Sequence, residues 1–398
     1  MNYILNNTSN YYRPVTIILF ICVFLIVQTC CINESFENSE YKIPIQTNDG
    51  WETTSLESVG MDEIPLLYLL EVFEDIEDHN LHSLLIIKNG KLVFEEYFPG
   101  DKFELAQYTD ETGFDMSDRH TLASATKSIA SALVGIAIDK GFIQSVNQKV
   151  FEFYPQYFNI FENNPEKYNL SIEHLLTMRS SITWDDESTS YFEPTNDMYQ
   201  IWRNPNPIRY ILEKELYATP GTVFDYENCN TNLLGDIVHQ ASGVRLDYFV
   251  ENYLFSKLGI TDYKWHYLQN NVVFCSGEIR LRPRDMAKFG QLFLNRGTWN
   301  GERIISQEWI DESTKTFTNL DWGNVNSGYE DGYGYQWWTW DDIHGKDFPA
   351  YMAQGWGGQW IIVYPEKDMI IVSTGGNYYE NPPLPISRLI VDYILPAI

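Results

Sequence analysis

The sequence predicts an α/β (α+β) fold: an antiparallel sheet flanked by helices, with an inserted helical lobe. Three observations predict it. Strand signals cluster near the two ends of the chain, at 84–98 and 360–376. The middle, about 145–285, carries mainly helix and loop signals. An Ala-rich apolar run between them starts at Ser124 and closes at Gly141. Sheet elements at both ends with helices between imply that the ends meet in one sheet.

The chain begins with a targeting segment. Residues 15–27 form an apolar run broken only by Thr16, and Arg13 is the single base before it. That length suits a signal-peptide core and is short for a spanning helix. Cys30-Cys31 follow at once. The reading is export with attachment to the membrane through residues 1–30, so that the protein works outside the cell or in its envelope. Simple secretion, lipidation at Cys30 and a retained anchor stay open. Residues 31–50 are Asn/Glu/Ser-rich and read as a polar linker to a domain at 51–398.

Within that domain, 81–98 reads as a hairpin turning at Asn89-Gly90. The next element is the helix 124–140, with Ile129, Leu133, Val134, Ala137 and Ile138 on one stripe at period 3.6. A second apolar helix runs through Leu233, Leu234, Ile237 and Val238 toward Gly243. A third begins near Met286, after the phrase holding Arg280, Arg282 and Arg284, which are expected at the surface. Finally, 360–364 and 369–372 read as a hairpin around Pro365-Glu-Lys-Asp368.

Composition removes several functions. The net charge is −28, which argues against nucleic acid and against anionic membrane surfaces as partners. The seven histidines show no metal-ligand spacing, and no phosphate-binding glycine loop is present. No cofactor is therefore expected. Of the five cysteines only Cys229 and Cys275 lie in the domain, leaving one disulfide open.

Three short segments carry chemistry. In Ser124-Ala125-Thr126-Lys127 a Ser and a Lys stand one helical turn apart, on one face. A serine becomes a nucleophile when a neighbour takes its proton, and a lysine with a lowered pKa can do so. The first turn of a helix favours negative charge on a reacting oxygen and disfavours a protonated Lys127. Pro220-Gly221 then opens a turn leading to Tyr226 and Asn228, two apart on one side of an extended backbone. Third, Ala353-Gln354-Gly355-Trp356-Gly357-Gly358 precedes the last hairpin, and glycines there let backbone approach a ligand closely. Trp184 and Trp356 are expected to line an apolar pocket. Asp185 and Asp186 read as a solvated turn.

In this order the three segments resemble the serine β-lactamase and penicillin-binding protein superfamily. The branch they look like is that of class C-type esterases, D-amino-acid peptidases and 6-aminohexanoate-oligomer hydrolases. The resemblance covers roughly residues 50 to 398, with His174-Leu-Leu-Thr-Met178 and Phe255-Ser-Lys-Leu-Gly-Ile260 as supporting phrases. It implies a β-lactamase/transpeptidase-like fold and a serine hydrolase that acylates Ser124. Lys127 and Tyr226 would share the base and acid work, and Asn228 would position substrate. The backbone N–H groups of Ser124 and Trp356, beside Gly355, would form the oxyanion hole.

One departure matters. The third motif of this superfamily is commonly Lys-Thr-Gly or His-Thr-Gly. Here it aligns with Ala353-Gln354-Gly355, or in another register with 356–358. A substrate carboxylate loses its charged partner, a contact worth about 1.5–3 kcal/mol. The expected partner is thus a small-molecule ester or amide. A D,D-peptidase or β-lactamase, and a non-catalytic binding or sensor domain of the same fold, are the alternatives.

Overall fold

The computed structural model describes residues 40–76, 79–104, 107–320, 332–340, 348–378 and 383–398. The targeting segment at 1–30 and the start of the linker lie outside the described residues. Among the described residues, eight strands form one antiparallel sheet. In chain order they are β1 (Leu81–Lys88), β2 (Lys91–Tyr97), β3 (Thr318–Asn319), β4 (Gly332–Tyr333), β5 (Trp338–Trp340), β6 (Ala350–Gly355), β7 (Gln359–Tyr364) and β8 (Met369–Gly375). Their spatial order is β3-β4-β5-β6-β7-β8-β1-β2, so the C-terminal strands pair with the N-terminal hairpin through β8 and β1. The ends of the chain meet in one sheet, as the strand signals predict. The first hairpin turns at Asn89 (φ 53°) and Gly90 (φ 73°), a left-handed pair that Asn-Gly supplies with little strain.

Alternation along these strands divides the core in two. Leu84, Ile86, Ile362 and Ile371 face a layer made by helix α1 (Ile64–Asp75) and the C-terminal helical segment 386–397. Leu85, Ile87, Ile361, Ile370 and Val372 face the other way, into the larger core. That core holds α2 (Thr126–Asp139), α3 (Asn228–Ser242) and α4 (Pro283–Leu294), with α4 lying directly on β7 and β8. Gly290 makes the contact possible, since a Cβ there would sit 2.8 Å from Ile361.

Helix α2 departs from its expected single stripe. Every residue from Thr126 to Ala137 is buried, polar Ser128 and Ser131 included. It is a central helix, enclosed by α3 on one side and β6 on another.

Two expectations need correction. Arg284 is not a surface residue. It is 3% exposed, and its guanidinium pairs with Asp49 at 2.9 Å and with Glu95 at 2.6 Å. The same side chain holds the Thr47 hydroxyl and the Ile45 carbonyl, each at 2.9 Å, so part of the polar stretch 31–50 is fastened to the domain. The open disulfide is also absent: Cys229 and Cys275 are buried free thiols.

Candidate active site

The site is assembled where α2, α3 and the end of β6 converge. Ser124 lies in a single 3-10 turn, Ala123–Ala125, that runs into α2. Ala123 has φ 44°, a left-handed conformation that a residue with a Cβ adopts at a cost of about 1–2 kcal/mol. Neighbouring bonds hold it there. The Thr126 hydroxyl donates to the Ala123 carbonyl at 2.6 Å, and the Leu122 N–H donates to the Ile279 carbonyl at 2.8 Å.

Lys127 is 1% exposed. Its Nζ lies 2.8 Å from Ser124 Oγ. It also donates to Asn228 Oδ1 at 2.7 Å and to the Ser276 carbonyl at 2.9 Å. All three partners are neutral oxygens. Burial, which penalises the ammonium, is the largest influence and brings its pKa down to about 7, against a smaller upward pull from Asp186. The free amine is thus far more accessible near neutral pH than that of an exposed lysine.

Asn228 is the first residue of α3. Further along, Asn232 accepts the Cys275 and Ser276 N–H groups at 3.0 and 3.3 Å. This fixes the backbone whose Ser276 carbonyl meets Lys127. Tyr226 reaches the same ammonium from another side, its ring centroid 4.9 Å from Nζ. Its ring stacks on Trp338 at 5.1 Å and meets Tyr333 edge-on at 5.9 Å, so β4 and β5 set its position.

The third segment is resolved by strand pairing. Ala353, Gln354 and Gly355 pair with Ile361, Trp360 and Gln359, whereas Gly357 (φ 89°) and Gly358 (φ 96°) make the turn. The last three residues of β6 are therefore Ala353-Gln354-Gly355, and they carry no cation. Gly355 is pressed onto the Ser124 turn: a Cβ would stand 2.0 Å from the Leu122 carbonyl oxygen. Trp356 follows, 45% exposed, edge-on to Tyr191 at 6.4 Å and to Tyr378 at 5.4 Å.

Trp184, expected on the pocket wall, belongs to the core instead. It is 7% exposed, and its indole N–H donates to Asp186 Oδ2 at 2.9 Å. Asp186 is not a solvated turn residue. It is 4% exposed and takes the Asn228 side-chain amide at 2.6 Å. Burial raises its pKa, offset in part by the Asn228 and Trp184 bonds. Sequence reasoning also passed over Glu227 and Tyr191. Burial, then the nearby Asp186, pushes Glu227 up to about 10 and Tyr191 up to about 12. Glu227 stands inside the Tyr-x-Asn motif, which was the available signal for it. Among the described residues, no group of three His, Cys, Asp or Glu side chains is arranged to hold a metal.

The model of the Beta-lactamase family matches residues 73–374. The chain belongs to this family. The 6-aminohexanoate-dimer hydrolase of Paenarthrobacter ureafaciens is 30% identical over 320 residues, 76% of this chain and 74% of that protein. Two solved structures share the fold at lower identity. A family VIII carboxylesterase has a TM-score of 0.65 at 16% identity, covering 89% of this chain and 99% of that one. A D-stereospecific amidohydrolase from Streptomyces has a TM-score of 0.61 at 16% identity, covering 85% and 100%. The expected β-lactamase/transpeptidase-like fold and superfamily are thereby shown, and the protein is a hydrolase of the serine β-lactamase type.

Proposed function

We propose that this protein cleaves small ester or amide substrates through an acyl-enzyme on Ser124. The observation that carries the reading is the Lys127 amine, buried, with a pKa brought to about 7 and 2.8 Å from Ser124 Oγ. A neutral amine at that distance accepts the hydroxyl proton as Oγ bonds to the substrate carbonyl carbon. The tetrahedral oxyanion is received by the backbone N–H groups of Ser124 and Trp356. As the intermediate collapses, the bond to the leaving alcohol or amine breaks. Tyr226, beside Lys127, passes the proton to it. Water then attacks the acyl carbonyl, with the same pair moving protons in reverse, and Ser124 is regenerated.

The cation-free triplet supports substrates with neutral ends over β-lactams and peptide carboxylates. The test is to incubate the intact protein with short-chain aryl esters, amide oligomers and a chromogenic cephalosporin. Turnover of an ester or amide, lost in Ser124→Ala, supports the reading; cephalosporin hydrolysis as fast as the best ester would replace it with a lactamase. We also infer export, on the apolar run at 15–27 and the expected linker after it. Fractionation of cells producing the full chain tests this, and recovery only from the cytosol would contradict it.

A further inference from the structure

We infer that Asp186 is a positioning residue that directs the lone pair of Lys127 at Ser124, acting through the side-chain amide of Asn228. This inference rests on the reading of Lys127 as the neutral base. A neutral amine has two N–H bonds and one lone pair. Three oxygens surround Lys127 Nζ: Asn228 Oδ1 at 2.7 Å, the Ser276 carbonyl at 2.9 Å and Ser124 Oγ at 2.8 Å. Two of them are carbonyl oxygens, which only accept. They take the two N–H bonds. Of these three oxygens, the one that can donate is the Ser124 hydroxyl, and the lone pair is left for it.

This outcome depends on which way the Asn228 amide faces. Turned over, it would offer Lys127 an NH2 group, which would occupy the lone pair and quench the base. A carboxylate accepts and cannot donate, so an ionised Asp186 admits only the NH2 end of the amide. Its Oδ2 takes Asn228 Nδ2 at 2.6 Å and stands 3.4 Å from the Asn228 backbone N. The indole N–H of Trp184 reaches the same oxygen at 2.9 Å and holds the carboxylate in place from behind. The chain Trp184–Asp186–Asn228–Lys127–Ser124 thus has each donor and acceptor role fixed by its neighbour. Asp186 also contributes its charge, which pulls the Lys127 pKa upward against burial. Removing that charge should make the amine easier to free while leaving it badly aimed.

Those two effects have opposite signs, and a merely structural role would not produce both. With an aryl ester as probe, Asp186→Asn is expected to lower the acylation rate at its pH plateau by about 10–100-fold. The acid limb of its pH profile should move to lower pH. Asp186→Glu, which keeps an accept-only group, should recover part of the plateau and the original limb. In the exchange variant Asp186→Asn/Asn228→Asp the carboxylate lies against Lys127, and the limb should move to higher pH. Thermal melts and the stoichiometry of fluorophosphonate labelling normalise each rate to folded enzyme. A uniform rate loss with an unmoved limb in Asp186→Asn, or no loss at all, overturns the inference. Persistence of turnover in Ser124→Ala instead overturns the serine reading beneath it, so the two failures are told apart.

Discussion

Lys127 and Lys288 are both almost wholly buried, and their surroundings differ in one respect. Lys288, in the middle of α4, is 0% exposed and pairs with the Asp285 carboxylate at 2.9 Å. Lys127, at the start of α2, is 1% exposed and meets only neutral oxygens. A buried ammonium with a carboxylate beside it has its charge compensated. A buried amine among neutral acceptors is pushed toward its free-base form. The difference separates a lysine that fastens a helix from one that can take a proton.

The largest effects are expected at Ser124 and Lys127. Ser124→Ala should abolish turnover and fluorophosphonate labelling with the melting temperature nearly unchanged. Lys127→Ala is expected to slow acylation by about 10³-fold or more at neutral pH, again with little loss of folded protein. Acylation within about tenfold of wild type would move the base elsewhere. Lys288→Met should do the reverse. It leaves Asp285 with Arg282 alone and costs about 3 kcal/mol in a denaturant titration, while activity per folded molecule stays at the wild-type level.

A second effect sharpens the contrast at the sheet. Gly355→Ala drives a Cβ to within 2.0 Å of the Leu122 carbonyl oxygen. The end of β6 must then retreat from the Ser124 turn, lowering kcat/KM by at least about tenfold at a stability cost of about 1–3 kcal/mol. The same neighbourhood governs substrate choice. Without a cation in Ala353-Gln354-Gly355, uncharged esters or amides should exceed benzylpenicillin in kcat/KM by about a hundredfold or more. Parity between them would remove the reason for setting β-lactams aside.

The smallest effect concerns a pair of buried imidazoles. His82 and His120 face each other at 5.2 Å between ring centroids. Burial, which disfavours the cation, is the leading cause that brings His82 down to about 3 and His120 down to about 4. The folded protein therefore refuses protons that the unfolded chain accepts below about 6.5. Stability from this pair is fully present above pH 6.5 and is lost as pH falls toward 4. His120→Leu should flatten that part of the stability curve, measured by denaturant titration between pH 7.5 and 5. An unchanged slope would assign the acid sensitivity to other groups.

What could be read from the sequence follows the range over which each feature is determined. The two hairpins were legible because Asn89-Gly90 and the 365–368 turn lie between strand-like runs. Ser124, Lys127, Tyr226 and Asn228 were legible because each pair is separated by three residues or fewer. Asp186 was not. Its burial depends on Trp184 beside it and on Asn228, which is brought in by a helix much further along the chain. Arg284 escaped for the same reason, since its partners Asp49 and Glu95 precede it by 235 and 189 residues. Trp184 was placed in the family of pocket aromatics by its position in a loop. The packing of its ring edge-on to Tyr210 at 6.2 Å, with its N–H committed to Asp186, turned it inward.

The proposed function turns on Lys127 losing its proton near pH 7 while aimed at Ser124. The direct measurement is a titration of the side-chain methylene carbon beside the amine, with lysines labelled by carbon-13 in the intact protein. The signal is assigned by its disappearance in Lys127→Met. One lysine resonance should half-titrate near pH 7, well below the free-lysine value of about 10.4. A Lys127 signal that stays fully charged until pH 10 would contradict the claim.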